Sequence, residues 1–267
     1  MFDFVYDSRI LLVYLAVKYE GDYQKIIAAL QLNENVPYEE AMNVYNSLKC
    51  KVVTLLDYDY PQKLKHTFHP PVVLFYYGDL SLFDKQIVAV VGSRKCSDYG
   101  KQCTEKIVGQ LAKGRTIISG LARGVDAYAH EYAIKNGGRT IAVLGSGIDN
   151  CYPIENQKLY EEIKKNHLVI SEYPGKTEPC KWHFPCRNRI VINPADAVYI
   201  PEIRDYMSGT MISVTLSLEY GKAIFVAFHP FNDGTINNQL ISEGAFPVEE
   251  AGQILYELGW DENDKNS

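Results

Sequence analysis

The stretch QIVAVVGSRKCSDYGKQCTEKIVGQLAKGRTIISGLARGVDAYAH, residues 86–130, predicts the fold class of the chain. It begins with a continuous apolar run that ends at Gly92, which is typical of a strand buried on both faces. A helical segment (99–113), a second strand (115–120) and a second helix (125–137) follow it. This alternation predicts parallel strands joined by crossover helices.

The same alternation continues toward the carboxyl terminus. Further apolar strands are predicted at 140–145, 167–173, 196–202 and 222–228. Two helices are predicted between them, at 155–166 and at about 209–220. The chain is therefore expected to be an α/β protein with a mostly parallel sheet and helices on both faces. Ligands are expected at the carboxyl ends of the strands, where the loops carry glycine.

The amino-terminal part of the chain has a different pattern. Apolar positions at helical spacing, separated by short polar breaks, predict three helices within residues 8–49. A strand, a turn marked by prolines and a second strand closed by Gly78 and Asp79 follow from residue 51. We therefore divide the chain into a small helical (SAM-like) module at 1–50 and a sheet domain at 51–267.

Charge is unevenly distributed along the 267 residues. The formal net charge is −6, but residues 87–189 contain 16 basic and 10 acidic side chains. This basic third could form a phosphate-binding face, or its charges could scatter over helix surfaces and cancel locally. Composition leaves both interpretations open.

The chain is expected to be cytoplasmic, with no membrane partner. No apolar run reaches the ~20 residues that a membrane helix needs, and the start lacks the basic segment of a signal peptide. The six cysteines form no CxxC pair, so free thiols are expected. Cys180, His183 and Cys186 lie close together, but no fourth ligand is evident, and we predict no metal or other cofactor.

Three predicted strand ends are rich in small residues. Gly92, Ser93 and Arg94 follow the first of these strands. Ser119, Gly120, Arg123 and Gly124 follow the second, and a GSG triplet at 145–147 follows the third. Glycine allows a ligand to approach the backbone, and a helix N-terminus presents free N–H groups to anions. An anionic, phosphate-bearing ligand is therefore expected, although neither a complete dinucleotide motif nor a P-loop is present.

The segment FPCRNRI, residues 184–190, carries one arginine on each side of an asparagine. Arg187, Asn188 and Arg189 could contact backbone phosphates, while the aromatic rings of residues 182–184 could stack on bases. Alternatively, one arginine could pair with a carboxylate such as Glu172 and hold the loop. We favour the ligand interpretation for the triplet as a whole and expect one arginine to be structural.

Asp126 and His130 are separated by one helical turn and could form an acid–base pair. A helix-starting aspartate and a hydrogen-bonded histidine beside the sheet are the favoured interpretation. The segment SGT, residues 208–210, could bind an anion or could simply cap a helix. No motif of a catalytic nucleophile is present.

The motifs together resemble the DNA-processing protein A family (DprA, also called Smf). The resemblance rests on VVGSR (90–94), SGLARGVDAYAH (119–130), TIAVLGSGIDNCYP (140–153), SEYP (171–174) and FPCRNRI, in this order. It runs from about residue 52 to residue 246. The three amino-terminal helices resemble the small helical domain that many members carry.

The resemblance implies an extended Rossmann-like fold that binds single-stranded DNA and forms homodimers. It further implies a non-catalytic protein that protects incoming DNA and loads a RecA-type recombinase during natural transformation. Lys176, just after SEYP, joins the candidate residues on this ground. The expected DNA-binding residues are Gly92, Ser93, Arg94, Ser119, Gly120, Arg123, Gly124, Lys176, Arg187, Asn188 and Arg189.

The sequence departs from the family pattern in its second half. Val191-Ile192-Asn193-Pro194 follows the RNRI segment where an alanine-glycine stretch is usual, and His229-Pro230 replaces the usual Pro-Gly. These changes concern dimer contacts more than the DNA site, and no winged-helix tail is expected. A nucleotide-processing hydrolase or a nucleotide-binding sensor of a related fold remains as an alternative. The missing glutamate three residues after Thr210 argues against the hydrolase.

Overall fold

The computed structural model of this chain describes residues 7–229 and 235–260. These residues form a nine-stranded sheet. Its strands are β1 (Lys51–Thr54), β2 (Val73–Gly78), β3 (Ile87–Val90), β4 (Thr116–Ser119), β5 (Arg139–Val143), β6 (Leu168–Ser171), β7 (Ala197–Ile200), β8 (Ala223–Ala227) and β9 (Phe246–Val248). Pro230 and the predicted end of the sheet domain at residue 267 lie outside the described residues.

The strand order is β1-β2-β6-β5-β4-β3-β7-β8-β9. The seven strands from β6 to β9 pair in parallel, whereas β2 pairs antiparallel with both β1 and β6. Residues of β3, β4 and β7 are buried throughout, because helices cover both faces of the sheet. The predicted α/β fold with a mostly parallel sheet is therefore confirmed.

Helices connect the strands and precede them. Their bounds are α1 (Ser8–Lys18), α2 (Tyr23–Gln31), α3 (Tyr38–Ser47), α4 (Gln62–Lys65), α5 (Asp98–Leu111), α6 (Val125–Lys135), α7 (Gln157–Asn166), α8 (His183–Ile192), α9 (Gly209–Glu219), α10 (Asn237–Ser242) and α11 (Ala251–Glu257). The sequence patterns did not predict α4, α8, α10, α11 or the short edge strand β9. In α8 the third residue is Pro185, which a first helical turn accommodates because its N–H would lack a partner there anyway.

The amino-terminal helices pack against the sheet instead of standing apart. Apolar side chains of α1–α3 share one buried cluster with Val73 and Phe75 of β2 and Ala142 of β5. Arg9 adds polar contacts, since its guanidinium donates to Asp57 Oδ2 at 2.9 Å and to the Val52 carbonyl oxygen at 3.0 Å. The division of the chain at residue 50 therefore remains a prediction, because the helices and the sheet share a core.

Membrane insertion by a helix is not indicated in the described part of the chain. No helix there is long and apolar enough to cross a bilayer.

His130 of α6 predicts a pH dependence of stability. Its side chain is fully buried, and burial, followed by the charge of Arg187, lowers the pKa of the imidazole to about 3. In the unfolded chain the pKa returns to about 6.5, so the unfolded state binds the proton first as the pH falls. Through this group the free energy of unfolding is highest above pH 6.5 and falls as the pH drops from 6.5 to about 3.

We expect the free energy of unfolding to fall by about 2 kcal/mol between pH 7 and pH 5 through this residue alone. Urea unfolding at several pH values should show that His130→Gln removes this part of the slope. Thr140→Val, which removes the hydroxyl beside His130 Nδ1 but keeps the imidazole, should retain the slope. An unchanged slope in His130→Gln would contradict the assignment.

Candidate nucleic-acid interface

The predicted site residues lie at the carboxyl edge of the parallel strands. Loops 91–97 and 120–124 leave β3 and β4 there, and loops 144–153 and 201–208 leave β5 and β7. The strand order runs in opposite directions on the two sides of the β3–β7 pair. Ligands of open α/β sheets bind where the loops diverge at such a switch point.

The loops that follow β3 and β4 meet backbone to backbone. The Val125 N–H donates to the Ser93 carbonyl oxygen at 3.2 Å. Gly124 has a φ of +74°, and a Cβ there would collide with the carbonyl oxygens of Ser93 and Arg94. A Cβ at Gly92 would lie 2.7 Å from the Val125 side chain. These two glycines are therefore required by the packing of the loops.

Ser119 and Gly120 also serve the packing of this edge. Ser119 is fully buried, and its hydroxyl donates to the Val90 carbonyl oxygen at 2.6 Å. A Cβ at Gly120 would collide with the guanidinium of Arg187. The predicted DNA contacts of both residues remain predictions.

Arg187 is a buried cation directly behind this edge. Only 4% of the residue is exposed, and its guanidinium donates to the Val143 carbonyl oxygen at 2.7 Å. Burial lowers the pKa of Arg187, and the charge of Asp126 opposes that effect. Within the described residues the Arg187 Nε atom has no hydrogen-bond partner. Arg187 therefore supplies positive potential at the site and retains an unused donor.

Asp126 and His130 do not bond to each other. The Asp126 carboxylate accepts the Ala122 N–H at 3.4 Å, and burial raises the pKa of this carboxyl group while Arg187 opposes the shift. His130 Nδ1 lies 2.6 Å from the Thr140 hydroxyl oxygen. Each side chain has a structural partner, which agrees with the favoured interpretation of this pair.

Arg189 forms the ion pair with Glu172 that the sequence left as an alternative. Its two terminal nitrogens donate to the two Glu172 carboxylate oxygens at 2.6 and 2.5 Å, and its Nε donates to the His69 carbonyl oxygen at 3.0 Å. Burial lowers the pKa of Arg189, but the adjacent Glu172 carboxylate outweighs it, so that the net shift is upward. The expected structural arginine is confirmed as Arg189.

Asn188 connects α8 to α9. Its side-chain amide donates to the Gly209 carbonyl oxygen at 3.3 Å and to the Ser213 hydroxyl oxygen at 3.2 Å. The RNR triplet thus points in three directions: into the edge of the sheet, toward α9 and toward Glu172. A DNA contact by Asn188 or Arg189 stays a prediction.

Arg94, Arg123 and Lys176 are the exposed cations among the predicted residues. Arg94 has no hydrogen bond or ion pair with any described residue, and its guanidinium lies 5.6 Å from the Phe184 ring centre. Arg123 pairs with Glu155, and both side chains are more than half exposed. The Lys176 side chain extends from a loop held by the Gly147 N–H, which donates to the Thr177 carbonyl oxygen at 2.8 Å.

The Phe184 ring lies beside Arg94, and other aromatic rings lie in the same loops. Trp182 is 49% exposed and Tyr152 is 45% exposed. The Tyr152 and Phe184 ring centres are 5.7 Å apart. His183, in contrast, is buried and stacks on Tyr173 at 3.8 Å, so it is not available to a base. Sequence reasoning did not single out Tyr152, although an aromatic residue in the loop after the GSG triplet was a usable signal.

No group of three potential metal ligands lies together in the ranges 7–229 and 235–260. His183 Nδ1 is 3.4 Å from the Cys180 backbone nitrogen and 3.3 Å from the Gly145 carbonyl oxygen. These contacts of His183 Nδ1 are with backbone atoms of two loops, so His183 packs as a structural residue between them.

The buried Arg189–Glu172 pair predicts a large loss of stability when one partner is removed. The two side chains are 12% and 8% exposed. Arg189→Met alone should lower the free energy of unfolding by about 3 kcal/mol, because it leaves a buried carboxylate without its partner. The double variant Arg189→Met/Glu172→Met should lose less than either single variant, as measured by urea unfolding.

The exposed pair Lys135–Glu105 provides a control. Glu105→Gln should change the free energy of unfolding by less than about 1 kcal/mol. A loss of that small size in Arg189→Met would show that the buried pair does not hold α8 in place.

Comparisons with known proteins identify relatives of this chain. The family model of DNA recombination-mediator protein A matches residues 51–259. The chain is 41% identical over 207 residues to DNA processing protein DprA of Streptococcus pneumoniae, covering 77% of this chain and 73% of that protein. It is 36% identical over 220 residues to DNA processing protein DprA of Bacillus subtilis, covering 80% and 73%.

Solved structures are similar over most of the chain. The crystal structure of the S. pneumoniae protein superposes with a TM-score of 0.76 at 33% identity, covering 95% of this chain and 94% of that one. A DNA processing protein A from Helicobacter pylori, solved to describe its single-stranded DNA binding mode, gives a TM-score of 0.71 at 35% identity, covering 79% and 96%. The chain therefore belongs to the DNA recombination-mediator protein A family.

Proposed function

We propose that this protein binds single-stranded DNA at the carboxyl edge of its sheet, protects it and loads a RecA-type recombinase onto it during natural transformation. The observation that carries the proposal is the position of Arg94. Its guanidinium is exposed at the switch point, has no carboxylate partner among the described residues and lies over the ring of Phe184. A cation over an aromatic ring, with exposed rings in the neighbouring loops, suits a nucleic-acid strand whose bases are unpaired.

We assign direct phosphate contact to the exposed cations Arg94, Arg123 and Lys176. Trp182 and Tyr152 provide rings on which bases can stack without sequence preference. Arg187 acts from behind the loop through its charge, which is weakly screened because the residue is buried. The remaining predicted residues hold these groups in place: Gly92, Ser93, Ser119, Gly120, Gly124, Asn188 and Arg189.

Family membership supports the recombinase partner and a binding role in place of catalysis, since the family is one of recombination mediators. The H. pylori relative supports the choice of single-stranded DNA, because its structure concerns that binding mode. A cytoplasmic location and a homodimer belong to the same proposal. The homodimer is what the family resemblance implies, and the location is the one expected of a recombination mediator that acts together with a recombinase.

Arg94→Ala should weaken the binding of a labelled single strand of about 30 nucleotides equally on all sequences, since phosphates carry no sequence information. The slope of log K against log salt should become shallower by about 0.7, the value for one lost phosphate contact on a single strand. Fluorescence anisotropy at several salt concentrations measures both effects.

Arg139→Ala provides the matched control, because Arg139 is an exposed arginine at the amino end of β5, on the opposite edge of the sheet. Its affinity should remain that of the wild type. Equal binding by Arg94→Ala and the wild type would remove Arg94 from the site. Full competition by a mononucleotide would favour a nucleotide-binding sensor over a strand-binding protein.

Glu155→Gln should strengthen single-strand binding. The change removes a negative charge and releases Arg123 from its exposed ion pair. An affinity gain of roughly threefold is expected, matching the small free energy of a surface ion pair. Most of the gain should disappear when Glu155→Gln is made in the Arg123→Ala background, and a gain of the same size there would show that Arg123 is not a DNA contact.

A further inference from the structure

Glu202, two residues after β7, is a buried carboxylate for which the site described above has no role. The residue is fully buried. Its carboxylate accepts the Ser97 backbone N–H at 3.1 Å and the Ser97 hydroxyl, and Arg204 Nε donates to it at 2.9 Å. A buried carboxylate is retained at such a position only when donors surround it, and here they do.

Glu202 also contacts the start of the loop 91–97, which ends at Ser97. Its backbone carbonyl oxygen accepts the Ser93 N–H at 2.9 Å. A Cβ at Gly92 would lie 2.9 Å from that oxygen, so the strand end and the loop are in close contact. One residue thus holds both Ser93 and Ser97, and Arg94 lies between the two attachment points.

The start of α5 depends on the same contacts. Ser97 is the N-cap residue, and its hydroxyl oxygen accepts the Gly100 N–H at 3.1 Å while the hydroxyl hydrogen is donated to Glu202. A Cβ at Gly100 would lie 2.8 Å from Glu202 Oε2, which leaves no room for a side chain. The carboxylate therefore positions the helix N-terminus and the loop before it together.

The chemistry of the site requires a carboxylate in preference to an amide. The groups that contact the two oxygens are all donors: the Ser97 N–H, the Ser97 hydroxyl and the guanidinium of Arg204. A carboxylate only accepts, whereas a glutamine would turn its NH₂ group toward one of these donors. The positive charge of Arg204 also compensates the negative charge of Glu202. The Glu202 carboxylate therefore adds no net negative charge beside a phosphate-binding loop.

We infer that Glu202 is a positioning residue for nucleic-acid binding: by holding Ser93 and Ser97 it presents Arg94 to the phosphate backbone of a single strand. This inference rests on the proposed function. The loop that follows β3 is then held by a residue that follows the neighbouring strand β7, across the switch point of the sheet. A fixed loop presents the arginine without the ordering cost that a mobile loop would add to binding.

The test is a double-mutant cycle in the full chain. Glu202→Gln should weaken the binding of a 30-nucleotide single strand by about tenfold, as for the loss of one well-placed charged contact. In the Arg94→Ala background the same change should have almost no further effect, because Glu202 acts through Arg94. Hydrogen exchange should show the Ser97 amide losing protection in Glu202→Gln without DNA.

Asp57→Asn is the matched control. Asp57 is another carboxylate that accepts a backbone N–H, that of Thr54 at 2.8 Å, and an arginine Nε, that of Arg9 at 2.9 Å, away from the loop. Its removal should change stability but leave DNA affinity unchanged. If Glu202→Gln folds poorly, Ser97→Ala and Ser97→Thr replace it: alanine should weaken binding through Arg94, and threonine, which keeps the hydroxyl, should restore it.

Two results would overturn the inference while single-strand binding by the wild type persists. One is wild-type affinity in Glu202→Gln, whether or not the Ser97 amide loses protection. The other is an equal loss of affinity when Glu202→Gln is made in the wild type and in the Arg94→Ala background. Absence of binding by the wild type would instead overturn the proposed function, and this inference with it.

Discussion

The close contact between the loops that follow β3 and β4 is the constraint on which the site depends. The Ser93 carbonyl oxygen accepts the Val125 N–H, and no side chain fits at Gly124 between the two backbones. Because the loops fill this space themselves, the Arg94 side chain extends into solvent. On the other side of the β4 loop, the absence of a side chain at Gly120 leaves room for the guanidinium of Arg187. One steric requirement thus arranges an exposed and a buried cation at the same edge.

The arginines of the site differ in what surrounds them. Arg189 is buried against Glu172, and its charge is used within the fold. Arg187 is buried near Asp126 without a direct hydrogen bond to it, and its charge also interacts with that of Arg94. Arg94 keeps its charge available to a ligand. Part of the basic character of the central third of the chain therefore lies at the carboxyl edge of the sheet, and only some of that part faces solvent.

The strands were predictable because each is a continuous apolar run between turn residues, and burial on both faces requires that composition. The helix α8 could not be predicted, because Pro185 and the RNR triplet interrupt the helical spacing of its apolar residues. The edge strand β9 has three residues, and its pairing with β8 is a long-range contact that no local pattern records. The Arg189–Glu172 pair could be proposed from the sequence but not chosen over a DNA contact.

The alternation of strands and helices, the glycines at the strand ends and the arginines in the loops are all evident from the amino-acid sequence, since they depend on local composition and spacing. Which arginine faces solvent depends on how the chain folds. Arg187 and Arg189 are two residues apart on one helix, yet they meet the Val143 carbonyl oxygen and Glu172, which come from β5 and from the end of β6. Burial and charge pairing arise from residues brought together by the fold, and no spacing along the chain encodes them.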